Sequence, residues 1–420
     1  MKKFFLSIVA LGMIISLSGC GETKNDSSKN VTTINFWHHY SAQSKENEVL
    51  TKIIIPKFEE ENPNIKVNSV SHEWSDLHDK ILVSSSSDTL PDVARLDLAW
   101  IPEFESSGIL TPLNKEFEDF DSISEGILDN AMEATKIGDN NYGLGLNINT
   151  KILFYNKDIF EAKQLKVPET MEEFEQTVKI LSGKNKKGQQ VWGYNEPALS
   201  GWNVLPIIWS FGGDILNEDQ TMATGYINGE KSKAAIRMLK NMYSNNELTG
   251  WNSGDIPTTD GLASNRYMMA FDGPWKITEL KEGYPDYNYG TATVPSGEGG
   301  SHSVIGGEAI SLFKNNDHQD EAWKFAKFMT SEFAQKEMAK VGQIPVNKQV
   351  LNSSVVAEST FAPFLETLKN AKSRPTVSCW TEIDNMLSVT LMDIMNDKIP
   401  LEEGLDKLAK DIDKLLAEED

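Results

Sequence analysis

The sequence predicts an α/β fold of two lobes hinged about a cleft, and three observations carry that expectation. The chain has 420 residues with 39% hydrophobic content, enough to bury a large core and, at this length, usually divided into two domains. Its first part alternates strand-like and helix-like stretches in β-α-β-α-β order, the pattern of an α/β layer with a parallel core. From Tyr142 to Tyr155 the chain reads as one extended run, longer than a typical strand and suited to crossing from one lobe to the other. A chain that crosses more than once between two such lobes makes a hinged clamp.

Taken in order, Lys2 and Lys3, the uncharged stretch Phe4 to Leu17 and the segment Leu17-Ser18-Gly19-Cys20 have the layout of an export signal, residues 1–19. The apolar part is shorter than the roughly 20 residues that span a bilayer. Leu17 to Cys20 resembles the bacterial lipobox, in which the cysteine is acylated and the peptide before it removed. Cys20 is therefore the expected lipidation site, and more than one acyl chain on a residue makes a stable anchor. Residues 20–31 are polar and turn-prone, a tether without a core of its own.

Thr32 to Phe36 then reads as a strand, and Val49, Leu50, Ile53, Ile54 and Phe58 recur at helical spacing. Pro56 should distort or shorten that helix. "NPN" at 62–64 stops it, "IKVNSV" resumes as a strand, a helix follows from about Trp74 to Ser84, and "VARLD" is another short strand. Gly138 to Asn141 looks like a hairpin turn ahead of the long extended run. Helices are predicted over 170–182 and 231–246, a strand at "AISLF", and one long amphipathic helix from Asp320 through Lys340.

The formal net charge of −22 excludes nucleic acid as a partner class, because phosphate binding needs clustered Lys and Arg. It does not demand a cationic ligand, since solubility and charged helix faces explain it equally well. Cys379 has no partner for a disulfide once Cys20 is lipidated, and reads as a small buried hydrophobe beside Trp380.

Several separated stretches, weak singly but specific in their order and spacing, together resemble one family. They are "INFWHHYS" from 34, "LPDVARLDLAWIPEFESSGILTPL" from 90, "YGLGLNINTKILFYNKDIFE" from 142, "MMAFDGPW" from 268, "GGEAISLF" from 306 and "AWKFAKFMTS" from 322. The family is the extracellular solute-binding proteins of ABC transporters, in the sugar-binding group that includes maltose-binding protein. The resemblance implies a periplasmic-binding-protein-like fold, with a multi-strand hinge and a ligand trapped between the lobes. The expected division is 32–148 with 296–345 in the first lobe and 149–295 with 346–420 in the second. It further implies a carbohydrate ligand, delivery to ABC transporter permease subunits, a monomer, no cofactor, and contact with the outer face of the cytoplasmic membrane through the lipid anchor alone. The chain has no Walker-type phosphate loop, so the ATPase must be another subunit.

A sugar offers weakly apolar C–H faces and a rim of hydroxyls, which call for aromatic faces and planar polar groups. Trp275 follows Gly273-Pro274 at a strand end, and the resemblance makes it a stacking residue. Asp97 closes "VARLD", where the resemblance places a hydroxyl partner and where a helix N-cap is an equal reading. Asn147 and Asn149 share one face of an extended strand and need partners, from the cleft or from the hinge. Gly307 and Glu308, with Gly306, resemble the loop that reaches the ligand. Trp202 and Trp209 lie seven residues apart on one helix face; Trp202, nearer the turn, is assigned to the site and Trp209 to the core. Arg374 and Trp380 sit where relatives supply a late contact, although an ion pair accounts for the arginine more simply. In "INFWHHYS", adjacent histidines on a strand point to opposite sides and cannot readily share a metal. Trp37 with His39 is the pair expected to face the cleft, rather than His38 with Tyr40.

An exported glycoside hydrolase is the competing class, requiring two carboxylates about 5 to 9.5 Å apart. The sequence carries no G-x-S-x-G, no H-E-x-x-H and no cysteine framework for zinc, and no catalytic or metal-binding residue is assigned. A polyamine or a peptide remains an alternative ligand, because a two-lobe fold does not fix what it holds.

Overall fold

The computed structural model describes residues 31–419, apart from 88, 315 and 358–360. The expected signal, Cys20 and the tether up to residue 30 lie outside the described residues. In chain order, the strands of the two main sheets are β1 (Thr32–His38), β2 (Ile65–Ser71), β3 (Val93–Asp97), β4 (Leu144–Thr150), β5 (Ile152–Asn156) and β6 (Tyr194–Asn195). They continue with β7 (Leu248–Thr249), β8 (Met269–Asp272), β9 (Tyr289–Ala292), β10 (Val304–Leu312), β11 (Ile344–Pro345) and β12 (Lys372–Ser373).

The first sheet has the order β11-β4-β10-β3-β1-β2, with β12 paired to β10. The expected parallel core is present, since β1 runs parallel to both β2 and β3. It is completed by β10, which lies antiparallel to β3 and β4. The second sheet has the order β7-β6-β8-β5-β9. The extended run of 142–155 is divided between the sheets, β4 in the first and β5 in the second, with Lys151 alone between them. The chain passes between lobes again after β9 and after β12, so three crossings make the hinge.

The helix expected around Phe58 forms, and Pro56 leaves its mark one turn earlier. Proline donates no hydrogen bond to the preceding turn. Residues Leu50–Ile54 widen into a π-turn, in which the Ile55 amide bonds Leu50 five residues back. The hairpin at Gly138 is present, with that glycine at φ +59°. The long helix predicted from 320 divides into Gln319–Met329 and Glu332–Ala339, because Ser331 caps the second piece by accepting from the Ala334 amide at 3.3 Å.

Ile34, Phe36, Phe58, Phe325 and Ile310 are completely buried in one cluster on the first sheet. Trp100, Phe104, Leu77 and Ile81 fill a second cluster on the other face of that sheet. Residues 346–368, expected in the second lobe, contribute Val346, Val356, Phe361 and Phe364 to the cluster around Phe36 instead. The second lobe is held by another cluster, including Phe174, Trp209, Phe271 and residues of the last two helices.

Candidate functional site

The helices that shape the site are α1 (Trp74–Ser85), α2 (Gly201–Ser210), α3 (Trp275–Gly283) and α4 (Trp380–Met395). Between the lobes lies a cleft of about 1250 Å³, lined by the carboxyl ends of β1 and β3, by β4 and β10, and by these four helices. The carboxyl ends of parallel strands are where open α/β sheets leave room for a ligand.

At the base of the cleft, Arg95 projects from β3 with only 3% exposure. Its guanidinium pairs with Glu308 at 2.8 Å, lies 4.1 Å from the centroid of the Tyr40 ring, and reaches the His39 ring nitrogens at 2.9 and 3.0 Å. Burial pushes the Glu308 carboxyl above its usual range, and Arg95 opposes that shift. Burial and the positive charge of Arg95 hold the His39 imidazole neutral, with its pKa well below the ordinary value. A neutral imidazole has one donor and one acceptor nitrogen. The Tyr40 phenol is pushed up to about 12 by burial and stays protonated.

Above this base, Asp97 does both things expected of it. Its Oδ1 accepts from the Ala99 amide at 2.9 Å, capping the short 3-10 turn Leu98–Trp100, and its carboxylate lines the cleft. Arg374 Nη2 donates to the same oxygen at 2.5 Å, and Trp74 Nε1 donates to Oδ2 at 3.2 Å. The Arg374 guanidinium lies 5.7 Å from the Trp202 ring, which lies 6.2 Å from the Trp275 ring at an interplanar angle of 33°. Two half-buried tryptophans thus adjoin a fork of polar donors and acceptors.

Two glycines fix how closely the backbone approaches these rings. A Cβ on Gly306 would come within 2.3 Å of Asn149 Oδ1 and 2.5 Å of the Trp202 ring. Gly307 has φ +145°, a conformation L side chains rarely adopt, and a Cβ there would meet the Asn147 carbonyl at 2.3 Å.

Of the residues singled out from sequence, His39, Asp97, Asn149, Trp202, Trp275, Gly307, Glu308 and Arg374 line this one cleft. Trp37, Asn147 and Trp380 do not. Trp37 packs edge-on against His72, at 5.0 Å between centroids, and against the cluster containing Trp100. The alternation used to pair it with His39 ends with β1 at His38, and after that turn the consecutive residues His39 and Tyr40 both face the cleft. Asn147 lies behind Glu308, donating to its carboxylate and accepting from Arg95 at 3.4 Å. Trp380 is 2% exposed and seated in the second-lobe core, with its ring against Gly201 at the start of α2. Trp209 lies in that core as well, donating to Asp214 at 2.9 Å.

Sequence reasoning set Tyr40 aside with His38 as the face turned from the cleft and did not single out Trp74, Arg95, Ser200 or Asn203, yet all five line it. Two of the four not singled out carried a signal. Arg95 is the one cation in the fully buried strand "VARLD", and a buried cation demands a partner. Trp74 opens a helix just after a strand, the same placement that drew attention to Trp275.

Two α/β lobes crossed three times by the chain, with aromatic and paired polar groups in the cleft between them, define a binding clamp. Residues 54–363 match the model of the bacterial extracellular solute-binding proteins, and the chain belongs to that family. A Brucella abortus protein named only as a binding protein is 25% identical over 355 residues, covering 80% of this chain and 82% of that one. The multiple sugar-binding protein of Streptococcus mutans is 25% identical over 373 residues, covering 82% and 83%. Among solved structures, an ABC substrate-binding protein of Listeria monocytogenes in complex with cycloalternan has the same fold at a TM-score of 0.82. It is 22% identical, over 92% of this chain and 99% of that one. Among the described residues no helix is long and apolar enough to cross a membrane, and no group of three side chains is placed to hold a metal.

Proposed function

We propose that the chain is the carbohydrate receptor of an ABC transporter, anchored outside the cell through Cys20, which captures an oligosaccharide and presents it to the permease. The observation that carries this reading is the Trp202–Trp275 pair beside the Asp97–Arg374 fork, because stacked rings next to planar donors and acceptors suit a pyranose face and its hydroxyls. The cleft volume supports a ligand of several rings, since it exceeds the roughly 300 to 1,000 Å³ usual for small-molecule pockets. The similarity to a multiple sugar-binding protein points the same way.

Eight carboxylates line the cleft, Glu46, Asp79, Asp260 and Glu282 among them, and the engagement of the other four argues against a polyamine and against a hydrolase. Asp97 is paired with Arg374, Glu308 with Arg95, and Glu279 with Lys276, while Asp384 accepts from the Gly201 amide. Carboxylates so engaged are poorly suited to holding a cation or acting as a free acid–base pair. A thermal-shift panel of mono- and oligosaccharides is expected to include a sugar that raises the melting temperature and is recovered intact. Stabilisation by spermidine or a peptide, with none by any sugar, would overturn the ligand class; stoichiometric hydrolysis would overturn the binder.

In that assay Trp275→Ala should weaken binding by about 1 to 3 kcal/mol through lost stacking, with the unfolding midpoint little changed. Titration calorimetry on the variant checks this. Unaltered affinity would remove Trp275 from the ligand contacts.

A further inference from the structure

A buried polar relay outside the contacts assigned above runs from the hinge to the cleft wall. Lys151, the only residue between β4 and β5, is 1% exposed, and its ammonium donates to Glu196 Oε1 at 2.6 Å. Glu196, also 1% exposed, accepts from the Tyr194 hydroxyl at 2.5 Å and from the Asn203 amide. Asn203 Oδ1 in turn accepts from Ser200 Oγ at 2.7 Å, and both Ser200 and Asn203 line the cleft on either side of Trp202. The Lys151 carbonyl accepts from Ser303 Oγ at 2.8 Å, which ties this crossing to the one that leads into β10.

Stability alone does not call for this pair, because apolar residues of similar volume commonly replace a buried ion pair at no loss. What the charges add is direction. A carboxylate held by Lys151 and Tyr194 leaves the Asn203 amide one orientation, with one N–H on Glu196 and the other free. We propose that Lys151 and Glu196 are positioning residues of the cleft: they fix Asn203 and the first turn of α2 relative to the hinge crossing, so that Asn203 offers its second N–H to a ligand hydroxyl. The nature of that ligand rests on the carbohydrate reading above; the coupling of hinge to helix does not.

The test is the double variant Lys151→Met with Glu196→Gln, which removes both charges together and leaves no unpaired ion. Its thermal midpoint should stay within a few degrees of the wild type. Its affinity for the sugar found in the panel should fall about 10-fold, as should that of Asn203→Ala. The triple variant should lose no more than either, since all act through one amide. Independent losses that multiply in the triple variant, or unchanged affinity in the double, would overturn the proposal. Hydrogen exchange of the ligand-free protein supplies the second reading. The Asn203 and Val204 amides, which bond back to the Ser200 carbonyl, should exchange faster in the double variant while the β3 and β10 amides do not. A merely structural pair would instead lower the midpoint and loosen both lobes together. Should no sugar bind the wild type, the carbohydrate reading fails, and the exchange result alone decides the coupling.

Discussion

Arg95→Met should destabilise the protein by about 3 to 5 kcal/mol, because it leaves Glu308 buried without its cation. Arg95 has one strong ionic partner, three further ring and amide contacts, and almost no solvent exposure, so water cannot replace it beside Glu308. The loss has a pH signature. Burial raises the Glu308 carboxyl and Arg95 lowers it, so deleting Arg95 lifts the folded-state pKa further above its unfolded value. A carboxyl raised on folding favours the protonated folded state. Its contribution is complete below the unfolded pKa, near 4.3, and is lost as pH rises through the folded value. The stability gap between variant and wild type should therefore narrow as pH is lowered from 7 toward the acid range. Urea unfolding at several pH values measures it. A gap that is small or independent of pH would show that the Arg95–Glu308 contact is not the one that matters.

Trp380→Ala should cost a similar amount, about 3 to 5 kcal/mol, by opening a cavity in the second lobe. The indole is 2% exposed and packs with Ile383, Leu387 and Trp209 in one cluster, with its ring edge on Gly201. Conservative Trp380→Phe should cost less, since it retains most of the volume. Thermal unfolding separates this role from a cleft role. If the alanine variant unfolds like the wild type and loses only ligand affinity, the ring belongs to the cleft and not to the core.

The sequence made the general architecture readable because its signals are local. Strand alternation, helical spacing and the break at Pro56 depend on residues a few positions apart, and the lobe crossing at 142–155 was visible as a run too long for one strand. Burial depth was harder to read. Trp275 and Trp202 stand beside turns and line the cleft; Trp380 stands beside a turn and does not, and only the packing of α4 against the start of α2 distinguishes them. Trp37 was misdirected by an alternation that stops at His38. That Asn147 and Arg374 need partners was legible, but which distant residue supplies them was not: Glu308 is 161 residues from Asn147, and Asp97 is 277 from Arg374. The placement of 346–368 against the first lobe is of the same kind, since amphipathic helices carry no mark of which lobe they will cover.

The hinge is spanned by a bond between the lobes as well as by the chain. Thr381, in the first turn of α4, donates to Glu103 Oε2 of the first lobe at 2.6 Å, and His78 meets the same oxygen at 2.9 Å. Such a contact needs no cargo. Whatever free energy it adds favours the shut clamp equally when empty and when loaded, and so erodes the contrast by which a downstream partner tells the two apart. Where that bridge forms only on closure, strengthening it would leave more vacant clamps shut, and weakening it would sharpen the difference between empty and loaded at the expense of retention.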